Sequence, residues 1–503
     1  MKNLKIYNSF SRELNDFTPI DPKGEYIGMY VCGPTVYNEV HLGNCRTFVT
    51  FDIVYRYLLA KGYKVRYVRN ITDVGHLEGD ADSGAESKID QRARLERLEP
   101  MEIVQKYTNL FHDVMRQMNT LPPSIEPTAT GHIVEQIEMV KEIIANGYGY
   151  EKNGSVYFNT KKLIEENKGY GTLSGKLMDD LLSESRDNLK NQDEKEHPSD
   201  FAIWVKASPT HIMRWPSPWG IGFPGWHLEC SAMSTKYLGQ TFDIHGGGMD
   251  LQFPHHENEI AQNIGACGCQ PVRYWMHGNM LILNGKKMSK SDGNSIMPRE
   301  MFDGSSTILS KAYSPMTLRF FMLQAHYRST LNITDDAMQA AEKGLQRLME
   351  AIEILQKLNY SGTEALTELD GKINQLIDAA FADMDDDFNT PNSLAKIFGL
   401  VSEIQKFENK LQSINNISQN TFERLKQSMR ALIFDIFGLM EEGKAGADGS
   451  SELLDGLMQM IIGFRKEARD NKEWAKSDQI RDALLEIGVQ IKDGKEGTSW
   501  LKV

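Results

Sequence analysis

The chain has 503 residues, 40% apolar and 25% charged, with a net charge of −13 from 56 basic and 69 acidic side chains. That length exceeds a single hydrophobic core and points to roughly three or four domains. The acidic balance argues against a nonspecific nucleic-acid binder, while leaving room for a local basic surface. No run of about 18 apolar residues is present to span a membrane. The opening MKNLKIYNSFSREL has no apolar segment of the secretory kind. Five cysteines (Cys32, Cys45, Cys230, Cys267, Cys269) are too sparse for a disulfide scaffold. A reducing cytoplasm, with metal-binding or catalytic thiols, is therefore expected.

In chain order, Tyr26 to Val31 (YIGMYV) reads as a buried strand that Gly33 and Pro34 stop. A helical pattern follows over Thr47 to Ala60 and closes at Gly62, and Lys64 to Asn70 is the next strand. Strand, loop, helix, strand is the sign of a parallel α/β sheet, whose ligands lie past the carboxyl ends of its strands. Cys32, His41 and Thr72 fall there. The polar stretch Asp73 to Ser87 reads as a loop, with His76 incidental, and Lys88 to Gln117 as a long helix or a pair. A helix from Ile133 to Asn146 and alternating segments near Tyr148–Tyr150 and Ser155–Phe158 suggest an insertion that continues, charged and without periodicity, to His197. Phe201 to Val205 resumes apolar character, and Trp215 to Gly220 is an aromatic, proline-rich turn. Arg273 to Leu283 reads as a strand pair around His277-Gly278, followed by the tight-turn dipeptide Asn284-Gly285. From Ser314 the pattern is almost wholly helical. GKAGADGSS (443–451) is a linker by composition, and 452–503 reads as a small helical unit.

Chemistry concentrates between Gly225 and Glu259. Those 35 residues hold Cys230, four histidines (His227, His245, His255, His256), the carboxylates Asp250, Glu257 and Glu259, and three consecutive glycines. Thiolate, imidazole and carboxylate are the side chains that hold zinc, and His255 and Glu259 share one face if helical. Any single Cys or His is more often structural, and the concentration is what carries the signal. Two further features suit phosphate. His41-Leu42-Gly43-Asn44 lies at a helix start, where backbone donors accept anions. Lys287 to Ser291 places two ammonium groups on a small-residue loop. Each alone is a weak signal.

Taken together these residues resemble the class I aminoacyl-tRNA synthetases. His41 to Asn44 is similar to the HIGH motif of that class, and Lys287 to Ser291 reads KMSKS. Within the class the chain resembles the cysteinyl-tRNA synthetase family, through MYVCGPTVYNEVHLGN, YVRNITD, PGWHLECSAMS, FDIHGGGMDLQFPHHENEIAQ, NGKKMSKSDGN, MDDDFNTP and DGKEGTSW. The matching motifs run through nearly the whole chain. The resemblance implies an α/β, Rossmann-like class I catalytic domain with an insertion, then an all-α bundle and a small C-terminal domain. The implied divisions are 1–123 and 201–283 for the two catalytic halves, 124–200 for the insertion, and 284–360 for the KMSKS loop with stem-contact helices. A helical bundle at 361–442, the linker at 443–451 and an anticodon unit at 452–503 follow.

The implied activity is ATP-dependent ligation of L-cysteine to its tRNA through a cysteinyl-adenylate. By position, one zinc ion falls to Cys32, Cys230, His255 and Glu259, leaving Cys267 and Cys269 without a metal role. Thr72, Trp226 and His245 map to the cysteine pocket. Gly33, His41, Gly43, Asn44 and Lys290 map to ATP, which magnesium accompanies, and His41, Lys287 and Lys290 to catalysis. Trp474, Asp478, Arg481 and Asp493 resemble positions near the anticodon, where an aromatic can stack on an unpaired base. A cytoplasmic monomer is expected. Cysteine and serine differ by one atom, which a hydrophobic pocket discriminates poorly, whereas zinc with sulfur ligands prefers thiolate. Two departures stand out: the last histidine of the HIGH motif is Asn44, and the loop after NITD is long. A ligase joining cysteine to a small amine shares these motifs but lacks the full C-terminal unit. A noncatalytic nucleic-acid-binding relative should lack the phosphate motifs.

Overall fold

The chain opens with an antiparallel hairpin of β1 (Lys5–Asn8) and β2 (Glu13–Asp16). The computed structural model describes residues 4–74, 88–175, 194–209, 211–288, 293–360, 367–441, 450–486, 489–494 and 497–502. Next come β3 (Tyr26–Val31), α1 (Leu42–Ala60) and β4 (Lys64–Arg69), with β3 and β4 parallel. The helix begins at Leu42 rather than Thr47. His41 Nδ1 accepts from the Asn44 amide at 3.4 Å and Asn44 Oδ1 accepts from the His41 amide at 3.2 Å, a reciprocal cap that satisfies two end donors. Residues 75–87, with His76, lie outside the described residues. The long charged stretch is a pair, α2 (Lys88–Glu96) and α3 (Pro100–Gln117), broken at Arg97, where φ is +57°.

The insertion holds α4 (Ile133–Ala145), β5 (Gly149–Lys152), β6 (Ser155–Phe158) and the short α5 (Thr160–Glu165). β7 (Phe201–Lys206), β8 (Trp215–Ser217) and β9 (Gly220–Pro224) follow. All five strands make one antiparallel sheet, ordered β5-β6-β7-β9-β8. The expected boundary at residue 200 therefore falls inside a sheet, and Phe201 to Pro224 belongs with the insertion. Phe201 to Val205 is buried against its own hairpin partners, which an apolar run alone cannot reveal.

α6 (Trp226–Leu238), β10 (Phe242–Gly248), α7 (Glu257–Cys267) and β11 (Val272–Gly278) return the chain to the first sheet. That sheet is parallel, in the order β11-β10-β3-β4. From the central pair, α1 leads outward to β4 on one side and α7 to β11 on the other. The switch point lies between β3 and β10, where such sheets open a ligand crevice. β10 presses on α1 so closely that a Cβ at Gly246 would stand 2.1 Å from the Phe51 ring.

The expected strand pair at 273–283 is two strands in different sheets. β12 (Leu281–Leu283) pairs instead with β13 (Lys286–Lys287), through a turn at Asn284 (φ +50°) and Gly285 (φ +75°). Beyond α8 (Pro298–Asp303) and α9 (Pro315–Leu323), β14 (Leu331–Ile333) joins β12 in parallel. Four helices complete this unit: α10 (Asp335–Lys357), α11 (Glu368–Asp385), α12 (Thr390–Glu408) and α13 (Gln419–Arg430). Hydrogen-bonding caps Thr334, Thr367, Asn389 and Ser418 start them.

The chain divides into two compact units, Met1–Leu439 and Met440–Val503. The second has α14 (Ser450–Asp470), α15 (Trp474–Glu486) and an antiparallel hairpin of β15 (Val489–Gly494) and β16 (Gly497–Lys502). It is thus not purely helical, as its composition suggested. Of DGKEGTSW, Asp493 and Gly494 end the first strand of that hairpin and Gly497 to Trp500 lie on the second.

Candidate metal and nucleotide site

Four elements deliver side chains to the switch point. Cys32 leaves the end of β3, Cys230 sits on the second turn of α6, His255 lies two residues before α7, and Glu259 lies on α7. One donor atom from each lies within 4.8 Å of every other, and all four residues are buried. Cys32 Sγ is 3.6 Å from Cys230 Sγ and 3.8 Å from Glu259 Oε1, and His255 Nε2 is 3.2 Å from the same carboxylate oxygen. A tetrahedral zinc with bonds of about 2.3 Å to sulfur sets two thiolates about 3.8 Å apart, so the pair of sulfurs fits that geometry.

A second grouping, Cys32, His245, His256 and Glu259, meets the same distance test. Of its imidazoles, His256 is anchored through Nδ1 as His255 is, and His245 is held through Nε2. His245 Nε2 is 2.9 Å from Glu259 Oε2. His256 Nε2 is 3.3 Å from Cys32 Sγ, while its Nδ1 meets His277 Nε2 at 2.8 Å, and His277 Nδ1 meets Ser9 Oγ at 2.8 Å. His255 shares its Nδ1 with His227 Nδ1 at 2.9 Å, which fixes the ring with Nε2 toward Glu259. An imidazole anchored through one nitrogen presents the other to a metal.

The electrostatics favour metal uptake. Burial pushes the Cys230 thiol up, but hydrogen bonding with Cys32 and the charge on His255 more than offset this, leaving it at about 6. Burial likewise raises Glu259, and His245 and His255 reverse the effect to about 2. Burial lowers His255, yet Cys230 and Glu259 bring it to about 10. Burial and Cys230 hold Cys32 well above an ordinary thiol. A cation bound by this set would displace the protons that burial and the neighbouring groups favour on His255 and Cys32.

Thr72 is buried beside this cluster and accepts from Asn70 Nδ2 at 3.1 Å. Trp226, the first residue of α6, holds its ring 4.4 Å from that of His255. Asn70 went unassigned from sequence although it lies in the NITD motif. Its Oδ1 accepts from the Gly33 amide at 2.9 Å and is 3.8 Å from Cys230 Sγ. Gly33 is obligatory, since a Cβ there would stand 1.5 Å from the Asn70 carbonyl oxygen. Glu257 is no ligand: its two oxygens accept from the Gly171 and Ser174 amides at 2.8 and 2.9 Å and so dock the insertion on α7.

The phosphate motifs face each other. A Cβ at Gly43 would meet the His41 ring at 2.9 Å and Met288 Cε at 3.7 Å, so the first turn of α1 lies against the entry of the lysine loop. Lys287 is exposed on β13, and Lys290 falls among residues 289–292, outside the described residues. In the second unit Trp474 is 59% exposed at the start of α15, and Arg481 pairs with Asp478 at 3.2 Å on the same helix. Asp493 lies on β15, and its side chain is outside the described residues. Cys267 and Cys269, expected as thiols, form a disulfide across Gly268, whose φ of +72° folds the chain back. Cys32, Cys45 and Cys230 are free.

Comparison with known proteins bears on the family and the fold. The family described as tRNA synthetases class I (C) catalytic domain matches residues 18–343, and the DALR domain family matches residues 381–441. A cysteine--tRNA ligase of Bacteroides fragilis is 52% identical over 497 residues, covering 99% of this chain and 98% of the relative. One from Deinococcus radiodurans is 46% identical over 502 residues, covering 99% and 96%. The fold is shared with Mycobacterium tuberculosis methionyl-tRNA synthetase in complex with methionyl-adenylate, at TM-score 0.56 and 13% identity over 82% of this chain and 89% of that one. It is also shared with the LeuRS of an Agrobacterium radiobacter ternary complex, at TM-score 0.57 and 11% identity over 84% and 85%.

Proposed function

The chain belongs to the cysteine--tRNA ligases, within the class I aminoacyl-tRNA synthetases, and on that premise we propose how its site performs ATP-dependent ligation of L-cysteine to tRNA. Cys32, Cys230, His255 and Glu259 hold one zinc ion. The observation that carries this is the 3.6 Å sulfur pair completed by an anchored imidazole and an ionised carboxylate, all buried at the switch point. When bound, the ion supplies a soft acceptor for the substrate thiolate, which serine cannot match. Around it, Thr72, Trp226 and His245 shape the cysteine pocket. His245 also restrains Glu259 through its 2.9 Å contact.

The substrate carboxylate attacks the α-phosphate of ATP, magnesium accompanying the nucleotide, to give cysteinyl-adenylate and pyrophosphate. His41, its ring fixed by the cap to Asn44, with Lys287 and Lys290, stabilises charge on the phosphates. Gly33 and Gly43 leave the backbone open to close approach. A ribose hydroxyl of the tRNA then takes the acyl group. Among the described residues no helix is long and apolar enough to cross a membrane. We also take the protein to act as a cytoplasmic monomer. The small-amine ligase reading has nothing to favour it, since full-length cysteine--tRNA ligases align over 99% of the chain.

Cysteine is expected to drive exchange of pyrophosphate into ATP, with serine slower by at least about 10⁴-fold in kcat/KM, the discrimination available when one functional group is read directly. Comparable exchange with serine would refute metal-based selection. Trp474, Asp478, Arg481 and Asp493 contact the tRNA. Removal of 440–503 is expected to leave that exchange intact and to weaken tRNA charging by at least tenfold or so, the loss of about one stacked base. A truncated enzyme that charges tRNA normally would show that this unit takes no part in recognition.

A further inference from the structure

Arg46 stands two residues past Asn44 on α1, and its side chain is 2% exposed. Among the described residues its guanidinium meets carbonyl oxygens alone. Nη1 donates to Met280 at 2.6 Å, and Nη2 donates to His326 at 3.2 Å and to Ser329. These acceptors lie on the two strands of a neck. Residues 279–280 carry the chain out of β11 into β12, and residues 324–330 return it from α9 to β14. The two strands of the neck are also bonded to each other. The Asn279 amide donates to Tyr327 O at 2.8 Å, the Leu331 amide to Met280 O at 3.1 Å, and Asn279 Nδ2 to Arg328 O at 2.8 Å. Beyond the neck lies the small sheet β13-β12-β14, which carries Lys286 and Lys287 and leads to Met288.

A buried cation without a counter-ion is a costly way to fill space, and apolar packing would join two segments more cheaply. What the guanidinium adds is a rigid fork that fixes several acceptors at once, which an ammonium does not. We propose that Arg46 is a positioning residue for adenylate formation, holding the neck of the lysine-bearing sheet in register with the first turn of α1. His41 and Lys287 then address the same triphosphate. The inference rests on the reading of those two residues as phosphate-binding groups.

Arg46→Lys keeps the charge and loses the fork. Misplacement of reacting groups by a fraction of an ångström costs roughly ten- to a hundredfold in rate. In cysteine-dependent pyrophosphate exchange, kcat is expected to fall by about tenfold, while KM for cysteine and zinc content stay at wild-type values. Asn279→Ala, which loosens the neck from its outer side, is expected to give the same split. Lys287→Ala in the Arg46→Lys background should add less than it does alone, because the lysine is already out of place. Wild-type kcat in both neck variants, or losses in cysteine KM and zinc content that parallel kcat, would overturn the proposal. A Lys287→Ala enzyme with unchanged exchange would instead overturn the phosphate reading beneath it.

Discussion

Cys230→Ser is expected to lose bound metal and the preference for cysteine together. Zinc content should fall from about one per chain, chelator competition should show affinity reduced by at least about 100-fold, and the ratio of cysteine to serine in exchange should collapse. The reason is specific to this sulfur. It is the thiol held nearest to ionisation, at about 6, and it lies 3.6 Å from its partner thiol. A hydroxyl there stays protonated and is a harder, weaker donor. His256→Gln is the informative companion, because His256 belongs to the competing set of donors. Full zinc in Cys230→Ser with loss in His256→Gln would move the site to Cys32, His245, His256 and Glu259.

The second large effect is structural. Asp52→Ala is expected to destabilise the larger unit by about 3–5 kcal/mol, the usual cost of stranding a buried cation. Asp52 lies one face further along α1. Its Oδ2 accepts from Arg56 Nε at 2.8 Å and from Arg319 Nη2, and its Oδ1 accepts from the Leu121 amide at 2.7 Å. All three side chains are buried, Arg319 completely. Arg319 also donates to Phe437 O at 2.6 Å and Met118 O at 2.8 Å, so this cluster joins the catalytic helix to the end of the helical bundle. Removing the carboxylate leaves two guanidinium groups facing each other without a counter-charge. Urea denaturation of the variant measures the loss, and an unchanged midpoint would show that backbone carbonyls alone satisfy the two arginines.

The sheet unit was readable because its signals are local. A six-residue apolar strand, a glycine-proline stop and a helix with period 3.6 leave few alternatives for residues 26–70. The donor set was readable only through family resemblance. Composition offered four histidines within 35 residues and no means of ranking them, since what separates His255 from His256 is the partner each ring meets, Glu259 for one Nε2 and Cys32 for the other. The insertion was misjudged at Phe201 for a related reason. A buried apolar strand looks alike in either sheet, and its partners are set by tertiary contact. The C-terminal hairpin departs from the helical expectation for 452–503, although Val489 and Ile491 alternate with polar neighbours as a strand does. Nothing local announced that Arg46, Asp52 and Arg56, the three charged residues of a largely apolar helix, would all be buried.

The split origin of the four donors has a bearing on how the protein is made. Cys32 and Glu259 are 227 residues apart, with the whole insertion between them. During synthesis the first thiol leaves the ribosome long before its partners exist, so the cluster cannot assemble until β10 has docked against β3. A cation held there cross-links the chain across that span, as a covalent bridge would, and closing so long a loop constrains the unfolded chain strongly. A cation bound by these four donors would therefore hold the join between the two halves of the sheet. A chain whose insertion has misfolded keeps its cysteines but has no place to bring them together.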